Sequence, residues 1–364
     1  MKPFCCLILI LNLLKANAHV PDSLREISLK LKSDTDRVNF FYNHGFHNRA
    51  INPQLSFNCA KLAEEYAQQT RLPYYIAKAN NLLGILYYRK YDLAKALSYH
   101  KKALSLRALL DDKKGIALSE VNLGNIYTDL KHYELAEQAY LKALQTNNDL
   151  NDQQQAGNCL LNLGVLNTEL KNYNAARNYF EQAIRNAAKR YDYELQAMGL
   201  NNLAEVNLAT GAADEAIANC MNSLKMKELM DNEMEMADSY LTMANALFVK
   251  KEVKEALACL SIADSIIVRF DYTAAHLISL KLKADYYQKA GNFEIAFVNL
   301  KEYNQLKDSL ANIEQNLKLN TSFAEDFANN KTVNERAFSF PYIYLNILIV
   351  ALILVVLFIF KPYQ

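Results

Sequence analysis

What this chain lacks first is charge of one sign. Its 40 Lys and Arg face 39 Asp and Glu, a net of +1. That balance excludes the electrostatic footprint of a nucleic-acid binder, whose affinity comes from neutralised phosphates. There is no glycine-rich phosphate loop, no nucleophile elbow and no HExxH pair. No pair of carboxylates stands apart from the repeat pattern described below. Enzymatic function is therefore not expected, and neither a catalytic residue nor a cofactor is assigned. Cysteine is sparse as well. Beyond Cys5 and Cys6 there are Cys59, Cys159, Cys220 and Cys259, dispersed, with no CxxC pair and no metal-ligand spacing. Cys220 and Cys259 fall at nearby points of adjacent units, which leaves open a disulfide or two buried small side chains. His44 and His47 stand three apart without an acidic or Cys partner nearby in sequence. Both coincide with packing positions, so no metal is assigned.

What is present is a register of forty residues. Leu83-Gly84 is followed by Tyr87, Leu93, Ala96 and Ala103. The pattern returns as Leu123-Gly124, Tyr127, Tyr133, Ala136, Tyr140 and Ala143, then as Leu163-Gly164, Tyr173, Ala176, Phe180 and Ala183. Such self-similarity marks a stacked repeat array. Apolar residues three and four apart place two helices in each unit, joined by a short polar turn. The first helix presents a small residue at Gly84, Gly124, Gly164, Ala204, Ala244 and Ala284. The second presents Ala96, Ala136, Ala176, Ala216, Ala256 and Ala296. Glycine inside a helix costs roughly 1 kcal/mol against alanine, so three in register signal close helix packing. His100 shares the position of Tyr140 and Phe180 and reads as a packing residue. Recurrent acids between units, at Asp111-Asp112, Asn151-Asp152, Asp192, Asp231 and Asp271, suit N-capping, and Asp34 or Thr35 suits the first full helix. Gly211 and Gly291 suit turns that require positive φ.

On these residues the chain resembles the tetratricopeptide repeat family, in a form with a period near forty. The resemblance covers 37–316 as seven units. The chain has no Trp to match the family's, and Asn167, Asn207 and Leu247 replace the aromatic of Tyr87 and Tyr127. The fold this implies is all-α: a right-handed superhelix, or α-solenoid, of helical hairpins with a concave groove for a protein or peptide. In the family the first helix lines the groove, at positions corresponding to Lys78, Asn81, Tyr88, Asn125, Thr128, Asn201, Glu205, Asn245 and Asp285. Asparagine both donates and accepts, which suits an extended peptide backbone. Lys78 and Lys281 stand too far apart for the family's clamp on a terminal carboxylate.

The ends complete the layout. Residues 1–18 read as a signal peptide: Lys2, an apolar run from Cys5 to Leu14, and Ala16-Asn17-Ala18 for cleavage. Removing them takes away Lys2 and Lys15 and leaves a net charge of −1. Residues 19–36 form an N-terminal capping helix. Over 304–338, Leu306, Leu310, Ile313, Leu317, Asn320, Ala324 and Phe327 make a heptad seam. It either caps the last repeat or pairs two copies as a coiled coil. Residues 342–360 are nineteen uncharged positions, enough for one transmembrane helix, flanked by Tyr342, Tyr344, Tyr363 and Lys361. Residues 361–364 then form a short cytoplasmic tail, with the repeats exported on the periplasmic side of the inner membrane. This order resembles bacterial one-span sensors that carry such repeats outside the membrane. The expectation is a membrane-anchored scaffold binding a protein or peptide. Its alternatives are the sensory half of a system with a separate cytoplasmic partner, and the remnant of a longer regulator that lost a kinase or DNA-binding output.

Overall fold

A computed structural model describes residues 20–49, 51–270 and 272–309. The expected signal peptide, most of the heptad seam, the membrane helix and the tail lie outside these residues. Among the described residues no helix is long and apolar enough to cross a membrane.

Helices follow one another at twenty-residue steps. A short α1 (Asp22–Leu29) precedes α2 (Asp34–Asn48), α3 (Pro53–Thr70), α4 (Pro73–Arg89), α5 (Leu93–Leu109), α6 (Lys113–Asp129) and α7 (Tyr133–Asp149). There follow α8 (Gln153–Glu169), α9 (Tyr173–Ala188), α10 (Tyr193–Ala209), α11 (Ala213–Leu229), α12 (Glu233–Val249), α13 (Val253–Phe270) and α14 (Thr273–Lys289). The last, α15, is helical over 293–309. Even- and odd-numbered neighbours from α2 onward pair as antiparallel hairpins, the most extensive contacts in the unit. The result is an all-α, solenoid-like array.

The step is set by one turn used repeatedly. After α4 to α12 and after α14 the turn holds a residue with left-handed backbone, and the next N–H reaches back to a carbonyl of the last turn. Asp92 N to Tyr87 O (2.9 Å) and Asn172 N to Asn167 O (2.8 Å) are examples. This closes carbonyls that a helix end leaves open. Gly211 and Gly291 occupy the left-handed position at φ 84° and 80°, as their spacing predicts. Among the described residues nine other turns put a side-chain-bearing residue there, Lys171 at φ 60° among them. Asp112, Asp152 and Asp192 cap the following helices by accepting from the N–H three residues on. Two expectations change. Asp231 takes the left-handed position, and α2 is capped by Ser33, whose hydroxyl accepts from Asp36 N at 3.2 Å, not by Asp34 or Thr35.

Hairpins close by pairing small against large. A Cβ placed on Gly84 would lie 2.6 Å from His100 Nε2, and one on Gly124 would lie 2.5 Å from Tyr140 Cε1. Gly164 meets Phe180 in the same way. Further along, alanine replaces glycine as the ring disappears: Ala204 with Cys220, and Ala244 with Leu260, all fully or almost fully buried. The alanines of the second helices, from Ala96 to Ala256, have no exposed surface. The core is thus a string of small clusters, one per junction, as expected where each repeat meets only its neighbours. All four described cysteines are free and buried in the core. The His44 ring packs at 4.5 Å from Phe40, and His47 Nδ1 lies 2.7 Å from the Asn43 carbonyl.

Candidate functional site: the inner wall of first helices

Which side is concave follows from contact between hairpins. Each first helix (α2, α4, α6, α8, α10, α12, α14) touches the next first helix, whereas successive second helices make no comparable contact. Elements crowd on the inside of a curve and splay on the outside. The first helices therefore form the inner wall.

Of the nine residues expected there, those of the N-terminal half are tied to the fold. Asn81 is 2% exposed. Its carbonyl oxygen accepts from Arg107 at 3.3 Å and from Asn122 at 3.2 Å, leaving no surface for a ligand. Arg107 also donates to Ser119 Oγ at 2.7 Å and to the Gly115 carbonyl at 2.9 Å, clasping α4, α5 and α6 together. Lys78 donates to Asn39 at 2.7 Å and sits 4.4 Å from the Tyr42 ring centroid, and burial lowers its pKa. Burial, with a hydrogen bond to Asp129, raises the Tyr88 phenol. Asn125 accepts from the Tyr140 hydroxyl at 2.7 Å. Thr128 donates to the Gly124 carbonyl at 3.0 Å and lies 3.3 Å from that same hydroxyl. Burial pushes the Tyr140 pKa up to about 12, so it stays a donor at neutral pH.

The C-terminal residues are freer. Asn201 is the exception: it is half-buried, and its side-chain carbonyl oxygen is itself buried with no hydrogen-bond partner among the described residues. Glu205, Asn245 and Asp285 line depressions on the wall formed by α10, α12 and α14. Glu205 is exposed to solvent yet ringed by protein. That crowding, and then the nearby Asp238 carboxylate, hold its pKa above the usual range. Asp238 is raised too, by burial, against the Tyr272 hydroxyl that donates to it at 3.0 Å and the nearby Lys227 ammonium.

Reading only polar positions missed the apolar part of the wall. Leu118, Met198 and Ile278 are the forty-residue equivalents of Lys78, and Val165 is that of Asn125; all four are exposed. Val249 is 58% exposed on the same wall. The repeat register already pointed to Leu118, Val165, Met198 and Ile278. The missing step was to count a hydrophobic residue at a groove position as a contact and not as core.

A chain of two-helix units with an open inner wall is a helical-repeat array, and that is the class the fold defines. Residues 75–149 and again 115–189 match the family profile of the tetratricopeptide repeat, and the hairpins over these residues are such repeats. Comparison with curated proteins finds no match. Among solved structures, the apo form of RapI is 16% identical, with a TM-score of 0.63 over 76% of this chain and 99% of that one. A Rap protein complexed with competence and sporulation factor is 18% identical, with a TM-score of 0.62 over 80% of each chain. Aspartyl phosphate phosphatase F from Bacillus subtilis is 16% identical, with a TM-score of 0.61 over 75% of this chain and 71% of that one. At such identities the likeness establishes the fold alone.

Proposed function

We propose that the chain is a binding scaffold whose inner wall holds an extended segment of a protein or peptide. The observation that carries this is the set of exposed apolar side chains on first helices, Leu118, Val165, Met198, Val249 and Ile278, interleaved with amide side chains. Exposed apolar surface rimmed by polar groups is the mark of an interaction site, and amides meet the backbone needs of an extended chain. The similar fold of a Rap protein complexed with competence and sporulation factor supports the reading. Binding, not catalysis, is then the function. The apolar runs at 5–14 and 342–360 support an exported array anchored by one membrane helix. Digestion of the repeats by protease added to intact spheroplasts would agree with that placement, and protection would refute it.

Crosslinking in cells tests the wall. A photoreactive residue at Val165 is expected to give a discrete adduct, and one at Leu141, exposed on the second helix α7, none. Equal labelling at both, or none at Val165, refutes the reading.

A further inference from the structure

Two depressions adjoin on the C-terminal half of the wall. The first, about 410 Å³, lies across α10, α12 and α14 and is walled by Leu208, Leu241, Ile278 and Leu282, with Glu205 at its edge. The second, about 670 Å³, lies between α12 and α14 against Phe248 and Tyr286, whose rings stack at 3.9 Å. They share Asn245, Val249 and Leu282. Both volumes are in the range of ligand-sized sites, roughly 300–1,000 Å³. Asn245 stands between them half-buried, its side chain making no hydrogen bond among the described residues. Its amide offers one acceptor and two donors, the complement of a peptide group.

The charges are unequal. Asp238 has the Tyr272 hydroxyl and lies near Lys227. Glu205 forms no ion pair among the described residues, although its surroundings disfavour its negative charge. The second depression carries Lys251 and Lys289 beside Asp285, so the end that calls for a cation is the Glu205 end.

We propose that this part of the wall recognises an extended segment with two large apolar side chains separated by one residue, followed on the Glu205 side by a lysine or arginine. One apolar side chain enters each depression, and Asn245 binds the backbone between them. Side chains two apart on an extended strand lie on the same face, about 7 Å from each other, so both can turn toward the adjoining depressions. The cation of the ligand pairs with the carboxylate of Glu205 at the rim of the first depression. This proposal rests on the reading of the inner wall as the ligand site.

Selection of random linear dodecapeptides displayed on phage against the full chain in detergent is the test, followed by affinity measurement with the best peptide synthesised. The expected winners carry the apolar pair with a flanking cation. Ile278→Arg should weaken the peptide by about tenfold or more, while Leu141→Arg on the second helix α7, off the wall, stays within about twofold. Glu205→Arg should weaken it similarly, and replacing the peptide's cation by glutamate should restore binding to that variant, which a misfolded variant would not show. Peptides lacking the pattern, or sensitive to Leu118→Arg and not to Ile278→Arg, overturn this proposal and leave the wall as the binding site. No enrichment, or insensitivity to every wall substitution, overturns both.

Discussion

Replacing His100 with phenylalanine should remove a weakness that appears only in acid. His100 is 1% exposed, packs on Gly84, and its Nδ1 has no hydrogen-bond partner among the described residues. Burial, and after it the Arg107 guanidinium, push its pKa down from 6.5 to about 4. As the pH falls, the unfolded chain takes up this proton near pH 6.5, while the folded chain resists until about 4. The stability tied to the neutral ring is complete above pH 6.5 and drains away as the pH falls to 4. The gap between the two values corresponds to about 3 kcal/mol. Phenylalanine has no such proton, and the Gly164–Phe180 pair shows that a ring of this size fits against glycine at this point of the repeat. Urea denaturation of both proteins across this range reads the effect. The parent should lose about 3 kcal/mol more than His100→Phe on going from neutral pH to pH 4. Parallel stability profiles would refute the argument that the buried imidazole is held neutral at its site.

Gly164→Ala places a Cβ 2.5 Å from Phe180 Cδ1. The helix gains about 1 kcal/mol from alanine, but overpacking costs about 1–3 kcal/mol, so a net loss is expected in urea melts. Adding Phe180→Leu recreates the native Ala244–Leu260 combination and should recover most of that loss; strictly additive destabilisation would contradict the small-against-large pairing. Lys171→Gly should raise stability by about 0.5–1 kcal/mol, because Lys171 is exposed and its φ of 60° is costly for a residue with a Cβ. A melting temperature that does not rise would show that the turn carries no such strain.

Much of this fold was readable in advance because a repeat array is built from local rules. Periodicity of three and four gives helices, a left-handed turn every twenty residues ends them, and small residues in register show where two helices touch. Gly84, Gly124 and Gly164 announced their ring partners at a fixed distance along the chain, and Gly211 and Gly291 announced their turns. Capping was less legible. Ser33 and Asp34 are both good caps by type, and Asp231 differs from Asp192 only in whether it sits one residue earlier, in the turn itself.

Sequence by itself determined the register and the two-helix unit. Tertiary structure alone decided which side chains on the inner wall are free. Asn81 faces Arg107, a residue twenty-six positions away, and Asn125 faces the Tyr140 hydroxyl across the hairpin. Those bonds depend on how the two helices of a hairpin pack against each other, not on local periodicity. Periodicity reports that a helix face is apolar, but not whether the next element covers it. Ile278 and Leu241 are both apolar on first helices, yet one is 49% exposed and the other 1%. The difference arises because the array curves, so that the same helix has a face closed by its neighbours and a face left open toward the groove.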